Sequence, residues 1–148
     1  MPALRQSAPQ GSRAQEDYLE QIHNLIEEKG YARVVDVAKN LGLAQASVTN
    51  MIQRLDADGL VHYEKYRGVV LTADGERIAL AIIRRHEKLT NFLELFGLDD
   101  ATIYEDVEGM EHHTSPETLA AIISLTAELE RQPALLKRVR RAMKDIKA

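Results

Sequence analysis

Apolar residues recur at helical spacing along most of this chain of 148 residues. Leu19, Ile22 and Ile26 lie three to four positions apart, which predicts a first amphipathic helix. This helix should span residues 16–29. The preceding residues 1–15 are polar, include Pro and Gly and show no periodicity, so we expect a disordered arm there.

The next segment predicts two short helices followed by a β-hairpin. The helices are expected over residues 34–40 and 44–56, and the strands over residues 60–63 and 68–71. Helix, turn, helix and hairpin is the order of a winged helix-turn-helix domain. We therefore predict a DNA-binding domain of this kind over residues 16–72.

From residue 73 to 148 the pattern is helical. A long helix capped by Thr72 or Asp74 should end near Phe96, and another should cover residues 99–113. Ser115-Pro116 is typical of a helix start, and a basic helix should follow Pro133. The expected fold is mainly α with a small β-hairpin wing: an N-terminal winged helix-turn-helix plus a C-terminal helical domain.

The composition limits the chemistry that this chain can perform. It contains no cysteine, which excludes disulfides and thiolate metal sites, so any metal must be held by oxygen and nitrogen ligands. Neither a membrane-spanning apolar run nor a signal peptide is present, which predicts a cytoplasmic protein with no membrane partner.

The net charge of −4 conceals a sharp internal asymmetry. Residues 97–130 contain nine acidic side chains and no Lys or Arg, whereas residues 131–148 sum to +6. Like charges at this density repel one another unless solvent or a bound cation neutralises them. The acidic segment is a first indication of a cation site.

The predicted second helix of the winged helix exposes a polar face suited to reading base edges. Gln and Asn can form two hydrogen bonds with one adenine, Arg can pair with guanine, and Ser or Thr can form hydrogen bonds with phosphates. The tip of the wing adds two cations around an aromatic ring. The candidate DNA-binding residues are Gln45, Ser47, Thr49, Asn50, Gln53 and Arg54 on the helix, and Lys65, Tyr66 and Arg67 on the wing. An ordinary polar face of a small domain is the alternative.

Carboxylates and histidines recur at helical spacing at three places in the sequence. The candidate metal ligands are Asp17, Glu20, His86, Glu108, Glu111 and His112. Glu108, Glu111 and His112 stand at i, i+3 and i+4, so their side chains should converge on one helix face. Four carboxylates and two imidazoles offer more donor atoms than one octahedral ion can use, and two ions that share bridging carboxylates would use them naturally. Taken singly, each residue could equally be a solvated or core-edge side chain.

Several segments together carry a resemblance to a known family. They are residues 17–20 (DYLE), 25–33 (LIEEKGYAR), 63–68 (YEKYRG), 85–86 (RH) and 106–113 (DVEGMEHH). In these segments the chain resembles the manganese-responsive members of the diphtheria toxin repressor family of metal-dependent transcription regulators. The resemblance covers roughly residues 16–130.

The resemblance implies a winged-helix domain, a helical dimerisation domain and a binuclear Mn²⁺ site that uses the six residues above. Iron-sensing relatives carry methionine and cysteine where Asp17 and Glu108 stand here, and carboxylates favour the harder Mn²⁺. Fe²⁺, Zn²⁺, Co²⁺ or Cd²⁺ could also bind, and no organic cofactor is expected. The expected function is repression of manganese uptake genes by a homodimer on a palindromic operator in double-stranded DNA.

We expect the metal to switch DNA binding, because the sequence divides the ligands between the two predicted domains.

Two other functions share some of these features. A di-metal carboxylate enzyme would use similar ligands, but the Glu-x-x-His pairing of ferritin-like sites is missing. A winged-helix regulator that responds to a small molecule would bind no metal.

Overall fold

The computed structural model describes residues 12–146, and within them helices predominate over a single β-hairpin. The elements are α1 (Arg13–Lys29), α2 (Val34–Leu41), α3 (Gln45–Ala57), β1 (Val61–Glu64), β2 (Gly68–Leu71), α4 (Ala73–Glu94), α5 (Asp100–Met110), α6 (Pro116–Arg131) and α7 (Pro133–Asp145). The predicted helix, turn, helix and hairpin order is confirmed. No helix among residues 12–146 is long and apolar enough to cross a membrane.

Helix α1 begins earlier than its apolar periodicity predicted. Ser12 Oγ accepts a hydrogen bond from the Gln15 amide at 3.3 Å, and the Gln15 side chain accepts one from the Ser12 amide at 3.1 Å. This capping box satisfies two amide groups that a helix start leaves without partners. Residues 13–15 are therefore helical rather than part of a disordered arm. The rest of the expected arm, residues 1–11, lies outside the described residues.

The chain divides into two compact units, the first ending at Ala81 and the second starting at Ile82. The pattern had placed the boundary between residues 72 and 73. The first unit extends further because Ala79 is buried in its core and Ile78 packs against that core. Helix α4 thus starts in the first unit and continues into the second.

The core of the first unit joins α1, α2, α3 and the hairpin. Its fully buried side chains include Leu19, Ile22, Leu25, Val37, Val48, Ile52, Leu55, Val61 and Val69. The two strands pair antiparallel from Val61 opposite Leu71 to Glu64 opposite Gly68. Ala32 adds an isolated bridge to Val69, which brings the start of α2 beside the wing.

The start of α4 is fastened to the turn that follows α3. Thr72 Oγ1 donates to the Gly59 carbonyl at 2.7 Å and accepts from the Gly75 amide at 3.1 Å, while the Thr72 amide donates to the Leu60 carbonyl at 3.1 Å. A Cβ on Gly75 would lie only 1.9 Å from the Leu60 carbonyl oxygen. Only glycine allows this approach without a shift of the backbone.

The second unit has a smaller apolar core of its own. Leu89 of α4, Ile103 and Val107 of α5 and Leu119 of α6 are buried together. Helix α7 contains no fully buried residue, and Arg140 fastens it by donating from Nε to the Leu95 carbonyl at 2.6 Å. A basic final helix after Pro133 is confirmed.

Candidate metal centre and DNA-facing surface

His86 and Glu111 form the closest polar contact of the candidate metal centre. His86 lies in α4 and Glu111 directly follows α5, and the distance from His86 Nδ1 to Glu111 Oε2 is 2.7 Å. The Glu111 side chain is 0% exposed and that of His86 is 33% exposed. A fully buried carboxylate thus meets an imidazole that solvent can still reach.

Glu108 and His112 stand beside this pair. Glu108 Oε1 lies 3.9 Å from His86 Nδ1, and one ligand atom from each of His86, Glu108 and Glu111 lies within 4.8 Å of the other two. His112 Nε2 lies 3.4 Å from Glu111 Oε1. The second unit therefore brings four of the six sequence-predicted ligands together.

The end of α5 differs from the uninterrupted helix predicted over residues 99–113. The helix ends at Met110, and residues 111–113 form a turn in which the Glu111 amide still donates to the Val107 carbonyl at 2.9 Å. Thr114 Oγ1 donates to the Met110 carbonyl at 2.6 Å, and Ser115 caps α6. Because Glu111 keeps helical backbone angles, φ −61° and ψ −31°, its side chain still follows the direction set by Glu108.

Burial is the main influence on the Glu111 carboxyl. It raises the pKa of Glu111, and the nearby Glu108 carboxylate raises it further, while the hydrogen bond with His86 lowers it. Among the described residues Glu111 Oε1 has no hydrogen-bond partner. A buried oxygen without a hydrogen-bond partner destabilises the folded state unless a donor or a positive charge compensates it. A divalent cation fits this donor set, which consists of carboxylate oxygens and imidazole nitrogens without sulfur.

The remaining two predicted ligands belong to the first unit. Asp17 and Glu20 lie on α1, one turn apart, and both are half-buried. They occupy the same helix as predicted. Their role as ligands stays a prediction.

The predicted reading face of α3 is exposed. Gln45, Ser47, Asn50, Gln53 and Arg54 are exposed and Thr49 is half-buried. The opposite face buries Val48, Ile52 and Leu55 in the core. The helix therefore offers solvent the side chains that could bond to base edges and phosphates.

The tip of the wing projects an aromatic ring between two cations. Tyr66 is 89% exposed and has a left-handed backbone, φ 72°. Lys65 Nζ lies 5.3 Å from the centre of this ring, and Arg67 makes an exposed ion pair with Glu64 at 3.4 Å. A tyrosine held in this region is uncommon, because its Cβ crowds the backbone there.

Sequence reasoning missed a groove between the start of α2 and the wing. It is lined by Arg33, Val34, Val35, Tyr63, Tyr66 and Gly68. The Arg33 guanidinium lies 4.9 Å from the centre of the Tyr31 ring. The groove depends on the bridge between Ala32 and Val69, a contact between distant residues that periodicity cannot reveal. In the sequence, the only indication of this groove was the segment YAR at residues 31–33, which belongs to the part that resembles the family.

The amino-acid sequence matches two family descriptions in tandem. Residues 12–69 match "Iron dependent repressor, N-terminal DNA binding domain". Residues 72–139 match "Iron dependent repressor, metal binding and dimerisation domain". The first match contains α3 and the wing, and the second contains His86, Glu108, Glu111 and His112.

Two curated relatives bear the name HTH-type transcriptional regulator MntR. The chain is 50% identical to that of Bacillus subtilis (strain 168) over 122 residues, or 82% of this chain and 86% of the relative. It is 47% identical to that of Lysinibacillus sphaericus (strain C3-41) over 124 residues, or 84% and 89% of the two chains.

A solved structure described as "Manganese-dependent transcriptional repressor complex with manganese" is similar in fold. The TM-score is 0.69 with 29% sequence identity over 76% of this chain. This chain spans about half of that protein, 52% of its length.

Proposed function

Because this chain belongs to the iron-dependent repressor family of metal-dependent transcription regulators, we propose that it represses transcription when it binds Mn²⁺. The family assigns it a DNA-binding domain and a metal-binding and dimerisation domain. Proteins of this family are transcription regulators rather than enzymes. The proposal concerns the metal, its ligands and the genes that are controlled.

One observation carries the metal assignment: the buried Glu111 carboxylate with Glu108 and His86 around it. A bound cation would supply the positive charge that this group of acids lacks. Glu111 would bind it through the oxygen that has no hydrogen-bond partner among residues 12–146, and His86 through its ring nitrogen. Hard carboxylate ligands without any sulfur favour Mn²⁺ over metals that need thiolates.

We extend the proposed ligand set to His112, and to Asp17 and Glu20 on α1. The last two rest on the sequence resemblance and on their carboxylate chemistry. Six ligands of this kind could hold two Mn²⁺ ions per chain. Fe²⁺, Co²⁺, Zn²⁺ and Cd²⁺ could bind the same oxygen and nitrogen atoms, with Zn²⁺ at least as tight as Mn²⁺ in the usual order of affinities.

The DNA-binding role is assigned to α3 and the wing. Asn50, Gln53 and Arg54 would contact base edges in the major groove, and Lys65 and Arg67 would contact phosphates. Two such units in a homodimer would recognise two half-sites, so the operator should be a palindrome in double-stranded DNA. The proposed targets are genes of manganese uptake, silenced when the metal is plentiful.

Metal binding and DNA binding are linked in this proposal, since the ligand set draws on both matched domains. A metal that increases the affinity for DNA must itself be bound more tightly in the DNA complex, by the same factor. This reciprocity can be measured without knowledge of the target genes.

The experiment starts with a random-sequence duplex library, selected with the purified dimer in the presence of Mn²⁺. Binding of the selected duplex is then measured by fluorescence anisotropy with Mn²⁺ and with a chelator. We expect an inverted repeat in the selected sequences and at least about tenfold tighter binding with Mn²⁺, the size of a typical coupling free energy.

Glu111→Ala should abolish the Mn²⁺ response, whereas Glu105→Ala, which removes an exposed acid of the preceding helix α5, should keep it. Equal binding by the metal-free and Mn²⁺-loaded protein would refute the proposed switch. A response that survives Glu111→Ala would refute the proposed site and leave the switch intact.

A further inference from the structure

The groove between the start of α2 and the wing has a lining with one cation and no acid. It is lined by Arg33, Val34, Val35, Tyr63, Tyr66 and Gly68. Arg33, Val35 and Tyr66 are exposed, and the other three residues are half-buried. The groove thus offers a ligand one positive charge, two phenol groups and apolar surface.

Backbone contacts fix the width of this groove. The Val69 amide donates to the Ala32 carbonyl at 2.9 Å. Gly68 has a φ of 115°, and a Cβ on it would lie 2.5 Å from the Ala32 carbonyl oxygen, so the two backbones are in direct contact. A surface that is held in this way before binding loses little conformational entropy when a ligand binds. The start of α2 and the wing therefore act as one preformed surface.

Arg33 is held against an aromatic ring rather than by an acid. Its guanidinium lies 4.9 Å from the centre of the Tyr31 ring, and Tyr31 is 46% exposed. Within residues 12–146 Arg33 forms no ion pair with a carboxylate, since Asp36 of the adjoining helix pairs with Lys29 at 3.6 Å. Stacking on a ring occupies the face of a guanidinium and leaves its N–H groups directed outward, where an anion can accept from them.

The wing repeats this arrangement on its own side of the groove. Lys65 Nζ lies 5.3 Å from the centre of the Tyr66 ring, which is part of the lining. Lys65 has no carboxylate partner among the described residues, because Glu64 pairs with Arg67 instead. Two cations, each placed against a tyrosine ring, therefore border one groove.

These groups together fit a sugar–phosphate backbone. Arginine, lysine and tyrosine side chains all bind phosphate oxygens, and aromatic rings cover the apolar C–H groups of a sugar. A free phosphate ion would use the cations and leave Val35 and the tyrosine rings uncovered. The groove also lies within residues 12–69, which match a DNA-binding domain, and it shares Tyr66 with the tip of the wing. Duplex DNA is therefore the polyanion that this surface fits best.

We propose that the groove binds the sugar–phosphate backbone of one strand of duplex DNA, with Arg33 bonded to a phosphate and Tyr31 as the residue that positions Arg33. This inference rests on the proposed function and adds to it a contact outside α3 and residues 65–67. A phosphate contact carries no information on the base sequence. It fixes the position of the protein on the duplex and strengthens binding to every sequence alike.

Arg33→Ala tests the contact through its salt dependence. Affinity is measured by fluorescence anisotropy with the Mn²⁺-loaded dimer at several salt concentrations, on the selected duplex and on an unrelated duplex of equal length. Each phosphate that a cation neutralises adds about 0.9 to the slope of log affinity against log salt. We therefore expect the slope to fall by about one for each chain, or about two for the dimer. Affinity should fall at least about tenfold, equally on both duplexes.

Conservative variants separate the charge from the ring. Arg33→Lys keeps the charge and should keep the slope. Tyr31→Ala removes the ring that positions Arg33 and should lower the affinity for both duplexes, whereas Tyr31→Phe keeps the ring and should restore it. Arg138→Ala removes an exposed cation of α7 and should change neither the slope nor the affinity.

Asn50→Ala provides the opposite signature. Asn50 is proposed to contact a base edge, so its loss should weaken binding to the selected duplex and leave binding to the unrelated duplex and the salt slope as they were.

Two results would overturn the groove contact and leave the proposed regulator intact. One is an Arg33→Ala protein that keeps both the slope and the affinity of the natural chain. The other is a loss confined to the selected duplex, because it would assign Arg33 to base reading. A natural chain that binds no duplex in the presence of Mn²⁺ would refute the proposed function and this contact together.

The side chain of Arg33 makes no capping hydrogen bond to α2, so its removal should not disturb that helix, and the melting temperature checks this. If Arg33→Ala does not fold, Arg33→Gln decides instead, since it keeps most of the side-chain length and removes the charge. The same fall in slope is expected for it, and an unchanged slope contradicts the proposal.

Discussion

His86 Nδ1 lies 2.7 Å from Oε2 of Glu111, while Oε1 of the same carboxylate has no hydrogen-bond partner among the described residues. The imidazole of His86 thus positions one oxygen, whereas the other oxygen has neither a hydrogen-bond donor nor a cation to compensate its charge among the described residues. This asymmetry makes Glu111 a group that a bound cation would stabilise. The first two predictions follow from it.

Glu111→Gln should separate metal binding from folding. The amide keeps the size of the side chain and removes its negative charge, so the buried group no longer requires a cation. We expect the affinity for Mn²⁺ to fall by about a hundredfold or more. Loss of a residue that only hydrogen-bonds to a ligand already costs up to about a hundredfold, and Glu111 is proposed as a ligand itself. The melting temperature without metal should stay the same or rise. Titration calorimetry and thermal unfolding measure the two effects.

Glu105→Gln is the matched control for this change, because Glu105 is an exposed acid of α5, the helix that Glu111 directly follows. It should bind Mn²⁺ as the natural chain does. An unaltered affinity of Glu111→Gln would show that the metal binds elsewhere.

The stability of the metal-free protein should depend on pH through Glu111. Burial raises the pKa of this carboxyl in the folded chain, so at pH values between the usual and the raised pKa the folded state binds more protons than the unfolded state. The contribution of Glu111 to stability is complete below the usual glutamate pKa and is lost as the pH rises through the raised value. Urea unfolding of the natural chain and of Glu111→Gln should therefore diverge with increasing pH, to the disadvantage of the natural chain.

Saturating Mn²⁺ should remove this disadvantage, because the ion binds the ionised carboxylate and displaces its proton. A difference between the two chains that does not vary with pH would contradict a raised pKa of Glu111 in the folded chain.

Gly75→Ala should destabilise the first unit. The added Cβ would lie 1.9 Å from the Leu60 carbonyl oxygen, and backbone atoms at that position cannot move aside cheaply. Overpacking of this kind costs about 1–3 kcal/mol. Chemical denaturation of the metal-free protein measures the free energy of unfolding.

Gly109→Ala provides the contrast, since apart from its chain neighbours and the nearby backbone of helix α5 nothing lies within 4 Å of the added Cβ. Alanine there should stabilise by about 0.5–1 kcal/mol, the usual difference in helix propensity. Equal effects of the two substitutions would show that the contact between Gly75 and Leu60 is not a tight one.

Tyr66→Gly should weaken DNA binding without weakening the fold. Glycine adopts the left-handed backbone of this position freely, which removes a strain of about 1 kcal/mol. The exposed ring and its contact with Lys65 are lost together. Anisotropy with the selected duplex should show reduced affinity, and the melting temperature should be maintained or higher.

Tyr66→Asn tests whether the ring is the cause, because asparagine also tolerates this conformation but offers no aromatic surface. It should match the glycine variant in DNA affinity. Full affinity in both variants would remove Tyr66 from the interface.

Local patterns predicted the elements of this fold well. The buried face of α3 and the exposed Asn50 and Gln53 followed from helical periodicity, and the hairpin followed from its alternation. The start of α1 was misplaced because the capping box of Ser12 and Gln15 precedes the first apolar residue of the helix. Periodicity detects the apolar face of a helix and does not detect its cap.

Contacts between distant residues were beyond the reach of the pattern. The spacing of Glu108 and Glu111 predicted a shared face, but that Glu111 is fully buried beside His86 depends on how α4 and α5 pack. Arg33 beside the wing depends on the bridge between Ala32 and Val69. Neither fact can be obtained from residues that are neighbours in sequence.

The Thr72 hydrogen bonds close the wing at its base, where they join Gly59 and Leu60 to the start of α4. Between them, residues 61–71 form the hairpin, whose paired strands are held at this base independently of its tip. The fold should therefore tolerate insertions, deletions or replacements at residues 65–67. The tip of the wing could then be exchanged between regulators. Such chimaeras would allow the contribution of the wing to operator choice to be separated from that of α3.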